Sequence, residues 1–86
     1  SGNETLLVVD DEKLIRTLVQ DIFTGRGYSV LEAESGEEAL ALYQNRQRDI
    51  DLIILDLVMP GMGGAEALRK LQALDPDVRV IVSSGY

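Results

Sequence analysis

Leu52-Ile53-Ile54-Leu55-Asp56-Leu57-Val58-Met59-Pro60-Gly61 is the stretch on which the fold turns. Leu52–Asp56 is apolar at successive positions, so both faces of an extended segment are hydrophobic, as in a central strand of a parallel sheet. It ends on a carboxylate, and Pro60-Gly61 marks a turn soon after. Upstream, Leu6–Asp10 is a second compact apolar run, and Asp11 follows it. A carboxylate at the end of a buried strand is costly to desolvate unless it is paired or metal-bound. Three such groups at one end of a sheet repel each other, and a hard cation is the usual remedy.

Outward from these runs the chain alternates strand and helix. Leu14, Ile15, Leu18, Val19, Ile22 and Phe23 follow the i, i+3, i+4 spacing of an amphipathic helix. Gly25 and Gly27 are placed to end it in a left-handed cap. Tyr28–Ala33 is the next strand. Ser35-Gly36-Glu37-Glu38 fits a capping box, with Ser35 as N-cap and Glu38 reaching back. The helix it opens presents Ala39, Leu40 and Tyr43 inward and frays near Gln44–Arg48. A third helix from about Gly64 to Leu74 turns Leu68, Leu71 and Leu74 inward, and Asp75-Pro76-Asp77 stops it. Val78–Ser83 is the fourth strand. Strand–helix–strand repetition with short connections implies right-handed crossovers and a parallel sheet covered on both sides. Ligands of such sheets bind beyond the carboxyl ends of the strands, where Asp10, Asp11, Asp56, Ser83 and Ser84 fall.

The composition narrows the chemistry. The chain has 86 residues, enough for one small domain that buries about 60–65% of its unfolded surface. It contains no cysteine and no histidine. That excludes disulfides, thiolate sites, histidine acid–base catalysis, Ser-His-Asp triads and ordinary zinc centres. With 15 acidic and 8 basic residues the formal charge is −7, which gives no electrostatic reason to bind nucleic acid. No apolar stretch approaches a membrane span, and no signal segment opens the chain. A soluble, cytoplasmic protein is the expectation. Residues 1–3 read as a tag remnant or linker, since Ser1-Gly2 lacks an initiator methionine.

If the first and third strands are neighbours, about 4.8 Å apart, Asp11 and Asp56 face each other across a gap suited to one small cation. Mg²⁺ prefers oxygen ligands, commonly one or two carboxylates with carbonyls and water. An aspartate beside such an ion can act as a nucleophile toward phosphorus.

Leu7-Val8-Val9-Asp10-Asp11-Glu12, then Leu55-Asp56-Leu57-Val58-Met59-Pro60-Gly61-Met62-Gly63-Gly64, then Val80-Ile81-Val82-Ser83-Ser84-Gly85 together resemble the receiver domain of two-component response regulators. The resemblance spans the chain in order. It implies an α/β, flavodoxin-like, doubly wound parallel sheet in strand order 2-1-3-4, ending after the fourth strand. It makes Asp56 the phosphoacceptor for a phosphohistidine on a sensor histidine kinase or phosphotransfer domain. It gives Mg²⁺ to Asp10, Asp11, Asp56 and the backbone carbonyl of Val58. Ser84 becomes the switch hydroxyl, and Met59-Pro60-Gly61 shapes the loop after the acceptor. The family's fifth strand, with its phosphate-binding lysine, has no counterpart in these 86 residues; Lys13 and Lys70 fall on helices.

Blander readings stand beside these. Asp10 or Asp11 alone is a common N-cap, and Asp56 alone a common turn opener. Gly61, Gly63 and Gly64 match neither a dinucleotide nor a Walker motif and suit a turn. Tyr43 and Phe23 are expected in the core. A scaffold that keeps the fold without phosphoryl turnover is the alternative function. An aspartyl-phosphate phosphatase ranks lower, because Val58 occupies the position where such an enzyme carries its acid. Val78-Arg79-Val80-Ile81-Val82 at a sheet edge would template self-association.

Overall fold

The computed structural model describes residues 4–83 of the chain. Seven elements follow one another: β1 (Thr5–Val9), α1 (Lys13–Thr24), β2 (Ser29–Ala33), α2 (Gly36–Arg46), β3 (Leu52–Asp56), α3 (Gly64–Leu74) and β4 (Val80–Ser83). The four strands form one parallel sheet in the order β2-β1-β3-β4, as the resemblance implies. Leu7 pairs with Ile53 and Leu31, and Asp56 pairs with Ser83. β2 and β4 are the edges of the described sheet.

Period-two alternation divides the sheet's apolar residues between its faces. Leu7, Val9, Ile53 and Leu55 join Ala39 and Tyr43 of α2 and Ala67 and Leu71 of α3 in one buried cluster. Leu7, Ile53, Leu55 and Leu71 are wholly inaccessible, each worth about 1.5–3 kcal/mol over an exposed position. Leu6 and Val8 are also buried but alternate to the other face, the side of α1. α1 contributes no fully buried residue, and its apolar stripe is half open: Leu14, Leu18 and Ile22 are exposed.

Four local expectations need correction. Gly25 does not adopt the left-handed conformation; at φ −63° it continues the helical turn. Gly27, at φ 94°, does the turning. Tyr28 N–H donates to the Phe23 carbonyl at 3.1 Å and Gly27 N–H to Thr24 at 3.1 Å, the paired bonds of a Schellman cap. The Phe23 and Tyr28 rings close it edge-on, 5.6 Å apart. Phe23 is accordingly half-buried under this cap and not in the central cluster.

The capping box is shifted by one residue. Ser35 Oγ accepts from Glu38 N–H at 3.1 Å as expected, but Glu38 Oε1 accepts from Glu34 N–H at 2.7 Å and not from Ser35. Lastly, Leu74 is exposed. α3 meets the sheet through Ala67 and Leu71, spaced by four, so the third residue of the Leu68-Leu71-Leu74 series rotates out beside Leu40, along a shallow groove between α2 and α3. Among the described residues, no helix is long and apolar enough to cross a membrane.

Candidate functional site: an acidic pocket at the carboxyl ends of β1 and β3

β3 carries Asp56 at its last position, next to β1, whose chain continues directly into Asp10 and Asp11. The parallel register Val9–Leu55 puts the exits of the two strands side by side. Carboxylate oxygens of Asp10, Asp11 and Asp56 consequently lie within 4.8 Å of one another. Asp56 is buried, Asp10 half-buried and Asp11 exposed, so the pocket grades from a covered floor to an open rim.

Each buried acid is tethered by a backbone donor two residues on. Val58 N–H donates to Asp56 Oδ1 at 3.0 Å, and Glu12 N–H to Asp10 Oδ1 at 2.9 Å. These side-chain-to-backbone turns fix the carboxylate planes and compensate part of the desolvation. Asp10 N–H also donates to the Ala33 carbonyl at 3.1 Å, which ties it to β2 although it lies past the end of β1. Burial pushes the Asp10 carboxyl above its ordinary value of 3.8; Glu12 N–H opposes the rise, Asp56 and Asp11 reinforce it, and Arg16 pulls it down.

The β3–α3 loop is pinned to the end of β3 by a close backbone crossing. Gly64 N–H donates to the Leu57 carbonyl at 3.2 Å, and a Cβ at position 64 would overlap the Asp56 carbonyl oxygen and the Leu57 Cα. Gly61, with φ 74°, turns the loop. Met59 is buried in the main cluster. Val58, two thirds exposed, lies on the solvent side, its N–H engaged with Asp56.

Of the residues expected from sequence, Asp10, Asp11 and Asp56 are brought together and Val58 is adjacent. Ser84 lies outside the described residues; the neighbouring Ser83 pairs with Asp56 in the sheet, and its carbonyl accepts from Leu57 N–H at 2.8 Å. Arg16 was not anticipated. Its guanidinium donates to the Asp10 carbonyl at 2.8 Å and to Glu32 Oε1 at 3.0 Å. Nothing in its helical spacing signals that contact, because both partners reach it only through the fold.

The donor set is oxygen-only and anionic, which suits a hard divalent cation and not a soft one. One octahedral ion with bonds of about 2.0–2.1 Å spans oxygens roughly 3–4 Å apart, so these three carboxylates fit it with a small closure or an intervening water.

Residues 6–86 match the family model described as the response regulator receiver domain. The chain belongs to that family. It is 41% identical over 86 residues to the sensor kinase CckA of Brucella abortus (strain 2308), covering 100% of this chain and 9% of that protein. The crystal structure of the response regulator protein TrrA from Thermotoga maritima in complex with Mg²⁺-BeF superposes with a TM-score of 0.86 at 38% identity, covering 92% of this chain and 67% of that one. A chain from the crystal structure of the histidine kinase ThkA in complex with TrrA gives 0.89 at 37% identity, covering 96% and 70%. The chain thus spans under a tenth of the CckA kinase and about two thirds of the shorter relatives.

Proposed function

We propose that Asp56 accepts a phosphoryl group from a phosphohistidine on a sensor histidine kinase or phosphotransfer partner, with Mg²⁺ held by Asp10, Asp11, Asp56 and the Val58 carbonyl. One observation carries the reading: three carboxylates from two neighbouring strand ends share a space that fits one hard cation. The TrrA structure with Mg²⁺-BeF, and the ThkA–TrrA complex, support the same ion class and the same partner class.

A carboxylate oxygen of Asp56 attacks phosphorus as the donor's P–N bond breaks, and the leaving imidazole takes a proton from solvent. Val58 N–H holds Oδ1 and so aims the carboxylate. Mg²⁺, when bound, neutralises charge on the transferring phosphoryl group. Asp10 and Asp11, with Asp56, would hold that cation. Ser84, next in sequence to Ser83, is the proposed hydroxyl donor to a phosphoryl oxygen. No acid stands two residues after Asp56, so hydrolysis is limited to slow self-dephosphorylation and the domain acts as a signal carrier. The lack of cysteine fits a cytoplasmic setting.

Incubation with acetyl phosphate and Mg²⁺ is expected to add one acid-labile phosphoryl group by intact-mass spectrometry, and Asp56→Asn to abolish it. An unmodified wild type, or an adduct that survives in Asp56→Asn, would overturn the assignment.

A second reading concerns self-association. Among the described residues β4 is an edge strand with Ile81 and Val82 exposed, and Leu14, Leu18 and Ile22 add open apolar surface on α1. Unpaired edges of this composition pair with other chains. β4 is proposed as the contact between copies of this chain.

A further inference from the structure

Arg16 lies on α1, yet its head is directed back to the end of β1. Nη1 donates to the main-chain carbonyl of Asp10 at 2.8 Å, and Nε donates to Oε1 of Glu32 on β2 at 3.0 Å. The side chain is 11% exposed, against 36% for Glu32, so this is a sheltered clamp and not a solvated surface pair. A guanidinium offers its donors in a rigid fork, and the two bonds together fix the orientation of both acceptors.

The carbonyl gripped by Arg16 belongs to the peptide that joins Asp10 to Asp11. Asp10 is already held through its N–H by Ala33 and through Oδ1 by Glu12 N–H. Arg16 restrains the remaining freedom: with the carbonyl held, rotation of the Asp10–Asp11 peptide must break its bond to the guanidinium. The direction in which Asp11 leaves the backbone is thereby restrained as well.

We propose that Arg16 is a positioning residue of the cation site, which sets the separation of the Asp10 and Asp11 carboxylates and so favours a small divalent ion over a larger one. The inference rests on the Mg²⁺ reading of the pocket given above. Mg²⁺ demands a near-ideal octahedron at about 2.0–2.1 Å, whereas Ca²⁺ accepts six to eight oxygens at about 2.3–2.6 Å in flexible geometries. Loosening the peptide therefore penalises Mg²⁺ more than Ca²⁺. Charge alone predicts the opposite sign: removing a cation from beside three carboxylates tightens both ions. A role confined to fold stability lowers the melting temperature and leaves the ratio of the two affinities unchanged.

The test is a titration of the ¹⁵N-labelled 86-residue chain with MgCl₂ and, separately, CaCl₂, following the amides of Glu12 and Val58 below the melting temperature of each variant. In Arg16→Ala, Mg²⁺ affinity is expected to fall about tenfold, the size typical of lost support to a metal ligand, with a smaller loss for Ca²⁺. Arg16→Lys keeps the charge but not the fork, and is expected to lose Mg²⁺ preference too; it carries the test if the alanine variant does not fold. An unchanged Mg²⁺/Ca²⁺ ratio, or tighter binding of both ions, overturns the role of Arg16 while the pocket reading stands. A wild type that binds no Mg²⁺ overturns the pocket reading and the inference together.

Discussion

Gly64→Ala tests the crossing that fixes Asp56. A Cβ at position 64 would sit 3.0 Å from the Asp56 carbonyl carbon and closer still to its oxygen and to Leu57 Cα. All three are backbone atoms, so no side chain can swing aside. Restoring ordinary contact of about 3.5–4.0 Å requires α3 and the end of β3 to separate by roughly 1 Å. Neither yields easily: Ala67 and Leu71 anchor α3 at zero exposure, and Leu57 N–H is bonded to Ser83 at 2.8 Å. Overpacking of this kind costs about 1–3 kcal/mol, and loss of the Gly64–Leu57 hydrogen bond adds about 1 kcal/mol. The better helix propensity of alanine returns up to about 1 kcal/mol. The net loss is about 1–4 kcal/mol, and its midpoint of about 2.5 kcal/mol corresponds to roughly 10–20 °C in Tm for a domain of this size. Far-UV circular dichroism on heating, with urea titration for the free energy, measures it. Gly63→Ser is the control: a Cβ there meets nothing within 4 Å, and a serine N-cap is expected to leave Tm unchanged or raise it. A Gly64→Ala melting curve that coincides with wild type would refute the crossing as described.

Two further outcomes follow from contacts away from the pocket. Tyr43 O–H donates to Asp75 Oδ2 at 2.6 Å, and that bond, with a second from Asp77 N–H, holds the Asp75 carboxyl below its usual 3.8. The stability it contributes is present above about pH 4 and is lost as pH falls through the depressed value; the stability gap between wild type and Tyr43→Phe in urea titrations should be flat near neutrality and narrow in acid. Burial and the same bond raise the Tyr43 hydroxyl above 10.0, so the gap should also close as the pH rises beyond that; a gap independent of pH would count against the pair. At the sheet edge, light scattering of the wild type at micromolar concentration is expected to give more than the monomer mass, and Ile81→Lys to restore the monomer, whereas a monomeric wild type would remove β4 as a contact.

The layout of the domain was legible because its central segments are unambiguous. Leu52–Asp56 is apolar on both faces, and the third helix is bracketed by glycines and by Asp75-Pro76, so both were placed to the residue. What pattern could not supply was set by contact. Two glycines near the end of α1 are equivalent on paper; the Phe23–Tyr28 ring pair decides that Gly27 reverses the chain. Leu68, Leu71 and Leu74 looked like one inward face because large apolar residues draw attention. Leu71 is buried and Leu68 packs against the core as expected, but Leu74 turns out and Ala67 shares the inner face, where α2 and α3 approach so closely that a Cβ on Gly36 would lie 3.1 Å from the Ala67 Cβ. The acids of the site were legible from their place at strand ends. Arg16 was not, because its partners are a backbone carbonyl and a residue on another strand.

The pocket works against the fold that builds it. Asp56 is buried and Asp10 partly so, and their mutual repulsion, together with that of Asp11, adds to the cost of desolvation. Two main-chain N–H donors and Arg16 offset part of that cost, but they leave the Asp10 carboxyl above its ordinary value. A group shifted in that direction destabilises the folded chain wherever it is ionised, so the penalty is fully present at neutral pH and is relieved only as protons return in acid. A divalent cation relieves the same penalty without protonation, and any ligand that binds only the folded state stabilises it. Proton and cation therefore compete for one excess of negative charge. The repulsion that makes these three carboxylates unfavourable together is what a bound cation would remove, and the function proposed above depends on that coupling.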